Sequence, residues 1–216
     1  MSMRRKVVAE FFGTGLLMLV VAGSGIMGES LAGGNDAVAL LANSLATGAA
    51  LYVIISLFGP VSGSHLNPVV TLMCWADQKC DFRKVGAYLA AQFTGAVAGV
   101  WATHVMFDLP ILQLSAKPRN SAGLWVSEVL GTVMLLMVIR TASARQDDKV
   151  PAYVALTVTA GYWATSSTFF VNPAVTIAHA VTDTFVGIRP ADTGPFILAQ
   201  LAALGLVLLS SKWLRR

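Results

Sequence analysis

Six stretches of this chain are apolar around their whole circumference: roughly 5–27, 37–58, 84–106, 122–140, 151–169 and 194–213. A helix that crosses a bilayer needs ~20 mainly apolar residues, and each stretch has about that length. None carries the single apolar stripe of a helix resting on a soluble core. Two further apolar runs open the stretches Gly59 to Arg83 and Phe170 to Thr193. Both are too short to cross, and each contains an Asn-Pro pair. The pattern predicts an all-α membrane protein, six transmembrane helices with two re-entrant half-helices, in one domain over 1–216.

Composition sharpens this picture. Hydrophobic residues make up 56% of the 216 residues and charged residues 12%, and the mean hydropathy is +0.69. Soluble domains carry about 25% charged residues, so most of this surface faces lipid. The net charge of +4 does not signal nucleic acid, because the basic residues sit in short loops and at the ends and form no recognition motif. They report orientation instead. With the N-terminus inside, twelve lie on the cytoplasmic side (Arg4, Arg5, Lys6, Lys79, Arg83, Lys84, Arg140, Arg145, Lys149, Lys212, Arg215, Arg216) and three outside (Lys117, Arg119, Arg189). The predicted location is the plasma (inner) membrane, multi-pass, with both termini cytoplasmic. The charged start Met1–Lys6 precedes an apolar run to Met27 that is too long for a signal peptide and is read as a retained first span. Cys74 and Cys80 fit neither a disulfide scaffold nor a metal motif.

The two halves resemble each other. Glu10 in Ala9–Thr14 parallels Glu128 in Ser127–Thr132, His65–Leu72 parallels Phe170–Ile177, and Gln92 parallels Gln200. Each half, about 5–106 and 122–213, holds three spans, so the second must insert upside down. Inverted repeats place their site near the midplane, where broken helices meet.

Proline suits a first helical turn and asparagine the position before it. Asn67-Pro68-Val69 and Asn172-Pro173-Ala174 therefore read as starts of short helices, running to about Trp75 and Val181. Stacked tip to tip, they aim two positive dipole ends at one point. Irregular backbone at that depth must line a wet cavity or lie buried in protein. Gly59, Ser62 and Gly63 before the first half-helix, and Thr165 to Thr168 before the second, are expected to supply it.

Ser62–Val69 and Phe169–Ala174, supported by Glu10, Glu128, Gln92 and Gln200, resemble the aquaporin and glycerol-facilitator family, the major intrinsic proteins. The resemblance covers essentially the whole chain. It implies a right-handed bundle with one pore per subunit and a homotetramer. It also implies that Asn67 and Asn172 are pore donors, that His65 lines the cytoplasmic half, and that Glu10 and Glu128 are structural carboxylates bonded to loop backbone. The competing reading makes those carboxylates a proton relay in a coupled secondary transporter; a third is a non-conducting structural membrane protein.

Two positions depart from the family's pattern. Val69 stands where the family has alanine, and Val175 where it usually has a filter arginine. Counting back from the motifs, the family's spacing places the other filter positions at Thr47, Ala160 and Phe169. A ring of Thr47, Ala160, Phe169 and Val175 is wide, uncharged and mostly apolar, and lining chemistry sets selectivity. It suits water together with larger neutral solutes: glycerol, urea, or metalloid hydroxides such as arsenous acid. The stretch Thr182–Pro190 resembles an aquaporin-like subgroup associated with bacterial arsenic resistance. His179 and Arg189, in the outer loop, are candidates to restore positive charge at the mouth; the alternative places both on a solvated surface. His104 reads as a packed histidine, Gly95 and Gly99 as a close helix contact, and Trp101, Trp125 and Trp213 as interfacial anchors. No catalytic set, metal cluster or cofactor motif is present, so an enzyme is not expected.

Overall fold

The computed structural model describes residues 1–145 and 148–214, and residues 211–214 by their backbone alone. Lys212 and Trp213 therefore have no described side chains, and Arg215 and Arg216 lie outside the described residues. The described residues form eight helices in succession: α1 (Met3–Leu31), α2 (Asp36–Ser62), α3 (Pro68–Ala76), α4 (Phe82–Met106), α5 (Ala122–Ala144), α6 (Val150–Ala164), α7 (Pro173–Ala180) and α8 (Pro190–Leu214). Among the described residues there are no strands.

Local chemistry sets the helix starts. Asn35 caps α2 through the N–H groups of Ala37 and Val38. Asp81 caps α4 through Lys84 N at 2.7 Å, and Ser121 caps α5 through Leu124 N at 3.4 Å. Such caps satisfy donors that have no partner within the helix. α2 stops at Gly63, whose φ of +92° is left-handed backbone that glycine adopts without penalty.

Two boundaries differ from expectation. Gly59 and Ser62 lie inside α2, so irregular backbone begins only at Gly63. The span expected at 151–169 ends at Ala164, giving a helix of 15 residues. At 1.5 Å per residue that is ~22 Å, short of a ~30 Å hydrocarbon core. The cause is the run Thr165-Ser166-Ser167-Thr168, whose hydroxyls compete for backbone. Thr165 Oγ1 donates to Gly161 O, and Thr168 Oγ1 to Ser167 O. Among the described residues, five helices are long and apolar enough to cross by themselves: α1, α2, α4, α5 and α8.

The helices pack in two groups, α1, α2 and α4, and α5, α6 and α8, joined along α2 and α6. Both short helices touch α4 and α8, one helix from each group, and they touch each other. Gly95 and Gly99 bring α4 onto α1: an added Cβ would strike the carbonyls of Phe11 and Gly15. Phe12, Leu45, Val53, Leu130, Leu156 and Leu198 lie exposed on the outer surface, which fits a belt facing lipid. The segment 107–121 lies over α7 and the turn after it: Ser115 N donates to Ala180 O at 3.0 Å and Arg189 N to Lys117 O at 2.7 Å. His104, fully buried, is a packed histidine. Its Nδ1 donates to Ile111 O at 2.9 Å, and its Nε2 lies 2.9 Å from Thr182 Oγ1.

Candidate channel and its two helix tips

Each tip is a short helix whose start the sequence dictates. Asn67 Oδ1 accepts from Val69 N at 3.0 Å; Asn172 Oδ1 accepts from Ala174 N at 3.0 Å. Pro68 and Pro173 occupy the first turn. Each side-chain amide then reaches across to the other half. Asn67 Nδ2 donates to Val171 O at 2.9 Å, and Asn172 Nδ2 donates to Leu66 O at 2.9 Å. One hydrogen of each amide is spent on that bond, and the second is left for whatever passes.

The carbonyls that accept these bonds sit on strained backbone. Leu66 has φ +50°, Val171 +43°, Ser64 +43°, Thr168 +60° and Phe169 +60°. A non-glycine residue there costs on the order of 1–3 kcal/mol and persists only where surroundings enforce it. Buried carboxylates do the enforcing. Glu10 Oε1 accepts from Ser62 Oγ at 2.7 Å and His65 N at 2.9 Å. Its Oε2 accepts from Leu66 N at 2.7 Å and Gln92 Nε2 at 2.8 Å. Glu128 repeats the arrangement with Phe170 N at 3.1 Å, Val171 N at 2.8 Å and Gln200 Nε2 at 2.6 Å. Both glutamates are fully buried, and neither lines the cavity.

That cavity has a volume of about 600 Å³, and its lining includes residues from both ends of the bundle. At the face where α3 and α5 end it is lined by Asp77, Lys79 and Arg140, with Arg140 Nη2 2.6 Å from Asp77 Oδ1. At the far face its lining includes Glu29, Asp36, Lys117 and Arg119. Between them it passes His65, Asn67 and Asn172. His65 Nδ1 is 3.1 Å from Thr71 Oγ1.

Of the expected filter positions, Thr47, Phe169 and Val175 line the cavity, but Ala160 does not. Ala160 is exposed on the opposite side of α6. The cavity face of α6 is Val150, Val154, Val158 and Tyr162, a strict four-residue spacing on which residue 160 cannot fall. Tyr162 Oη lies 3.3 Å from Thr47 Oγ1, so a phenol occupies the place given to alanine. Counting back from Asn172 misleads because α6 ends early. Phe169 turns its ring aside, into the gap where an added Cβ on Gly131 or Gly161 would strike it.

The two expected mouth residues separate. His179 lines the cavity, and neither of its ring nitrogens has a protein partner. Arg189 does not line it; its Nη2 is 2.9 Å from Asp192 Oδ1. A residue that the sequence did not single out, Arg119, lines it instead. Its Nε donates to Gly187 O at 2.9 Å and its Nη1 to Ser167 O at 3.4 Å. No local signal in Lys117-Pro118-Arg119 separates an inward arginine from a solvated one.

A multi-helix bundle around one continuous cavity, with two Asn-Pro helix tips bonded across its middle, defines a membrane channel. Residues 1–168 match the family description "Major intrinsic protein", and the chain belongs to that family. It is a multi-pass membrane protein and a passive channel for water and small neutral solutes. Among its relatives, Aquaglyceroporin AqpS of Rhizobium meliloti (strain 1021) is 43% identical over 213 residues, 99% of this chain and 91% of that protein. Aquaporin-1 of Homo sapiens is 30% identical, over 93% of this chain and 80% of its own length. The fold matches the X-ray structure of the aquaglyceroporin from Plasmodium falciparum with a TM-score of 0.72, at 22% identity, over 97% of this chain and 93% of that one.

Proposed function

We propose that the channel serves neutral solutes larger than water: glycerol, urea and neutral metalloid hydroxides such as arsenous acid. The observation that carries this reading is the lining at Thr47 and Val175, both of which face the cavity of about 600 Å³. Thr47 and Val175 bring neither an aromatic ring nor a charge, and the ring beside them is a polar phenol, Tyr162, with Oη 3.3 Å from Thr47 Oγ1. The likeness to a protein named an aquaglyceroporin supports it. Asn67 and Asn172 are the midplane donors. With their N–H groups held from behind by Glu10 and Glu128, the segments 63–66 and 168–171 offer carbonyl acceptors, and His65 adds a side chain in the first half. The filter is Thr47, Tyr162 and Val175, with the backbone of Phe169.

The same reading takes 5–106 and 122–213 as inverted repeats of one domain. The repeated bonds of Glu10 and Glu128 support it. It takes four chains as the assembly, each with its own pore, and no catalytic step. The count of basic residues favours termini on the cytoplasmic side of the plasma (inner) membrane.

Stopped-flow measurement on proteoliposomes tests the proposal. Glycerol, urea and arsenous acid should each enter faster than into empty liposomes, with rates that follow the solute gradient alone. Entry of water with rejection of all three would sink the solute reading.

A further inference from the structure

We propose that Arg119, carried by the extended α4–α5 segment, supplies the fixed positive charge of the far mouth and sets its rejection of cations. The inference rests on the channel reading. α7 offers no charge where it faces the cavity, since its lining side chains there are Val175 and His179. Arg119 enters from a different part of the chain and is held on three sides. Its Nε and Nη1 donate to Gly187 O and Ser167 O, and its Cζ lies 4.9 Å from the centre of the Phe170 ring. The same ring packs edge-on against His179 at 4.4 Å, so the guanidinium and the unpartnered imidazole both contact one aromatic ring.

Charge at this mouth is unevenly spent. Arg189 pairs with Asp192 at 2.9 Å, and Lys117 lies 3.8 Å from Glu29. The Arg119 guanidinium makes no carboxylate contact within 4 Å among the described residues; carbonyls and a ring satisfy it without cancelling its charge. Asp192 also accepts Arg119 N on Oδ2 at 2.9 Å. Arg189 is therefore a positioning residue: it orients the carboxylate that anchors the Arg119 backbone. Glu29 and Asp36 line the same mouth and would draw cations inward. A fixed cation deeper in the path opposes them, since like charges a few ångströms apart repel strongly at low effective dielectric.

The test measures potassium leak and glycerol entry in proteoliposomes of the full chain. Arg119→Gln should raise the leak by about tenfold or more, as expected for one unit charge felt at close range, while Arg119→Lys stays near the parent. In a Cys74→Ser/Cys80→Ser background, Arg119→Cys should leak. A cationic thiosulfonate label should close that leak, and a neutral label of similar size should not. Unchanged leak in a monodisperse Arg119→Gln protein would overturn the proposal. If that variant aggregates, equal leak with the two labels overturns it instead. Failure of the parent protein to pass glycerol strikes the channel reading itself, a separate outcome.

Discussion

Two glutamates buried in membrane-spanning helices would cost several kcal/mol each if unsatisfied. Here four donors converge on Glu10 and three on Glu128, and each carboxylate fixes backbone that would otherwise relax. Replacing Glu10 by Gln turns one acceptor into an NH₂ group facing donors. The loss of stability should be about 2–4 kcal/mol, read as a lowered unfolding midpoint in detergent, with Glu128→Gln similar. A proton relay would instead leave stability near the parent and change pH coupling. Cys80 lies in the α3–α4 turn, outside the spans. Burial, then the neighbouring Cys74 thiol, push its own thiol up to about 12. A thiol so raised stays protonated at neutral pH, and the thiolate is the nucleophile. Iodoacetamide at pH 8 should label Cys80 at least about tenfold more slowly than a free cysteine of pKa ~8.5, as read by mass spectrometry of its peptide. Equal rates would contradict the burial seen here.

At the scale of elements, the close fit of α5, α6 and the second re-entrant segment is most exposed to change at Gly161. A Cβ there would overlap the Phe169 ring. Gly161→Ala should therefore cost about 1–3 kcal/mol, by analogy with overpacked cores, and should displace the ring toward the cavity. The checks are a lowered melting temperature and a glycerol rate that falls more than the water rate. Much of this element plan was legible in the chain. Five long apolar runs became α1, α2, α4, α5 and α8, because lipid on one side and packed helices on the other both demand apolar faces. Asn-Pro marked both short helices, because cap chemistry is local. The end of α6 was not legible. Four consecutive serines and threonines are tolerated in an apolar helix, and only tertiary bonds such as Ser127 Oγ to Ser166 Oγ at 2.8 Å decide that they leave it. That early end moved the inward register from Ala160 to Tyr162. Arg119 was illegible for a related reason: its direction is set by carbonyls of Ser167 and Gly187, 48 and 68 residues away.

For the whole molecule, one cavity whose lining runs from residues at one face to residues at the other fits transport without a cycle of alternating states. Collapsing a pH gradient across the proteoliposome should leave the glycerol rate unchanged; a rate that tracks the gradient would point to coupling. The two crossed amide bonds, Asn67 to Val171 and Asn172 to Leu66, have a wider consequence. Each half of the chain completes the other's unfinished turn, so neither can be tidy by itself. Damage at one asparagine loosens the opposite leaflet's segment as well as its own, and losing the second asparagine should then add little. The midpoint behaves as a clasp, in which either hook undone opens both.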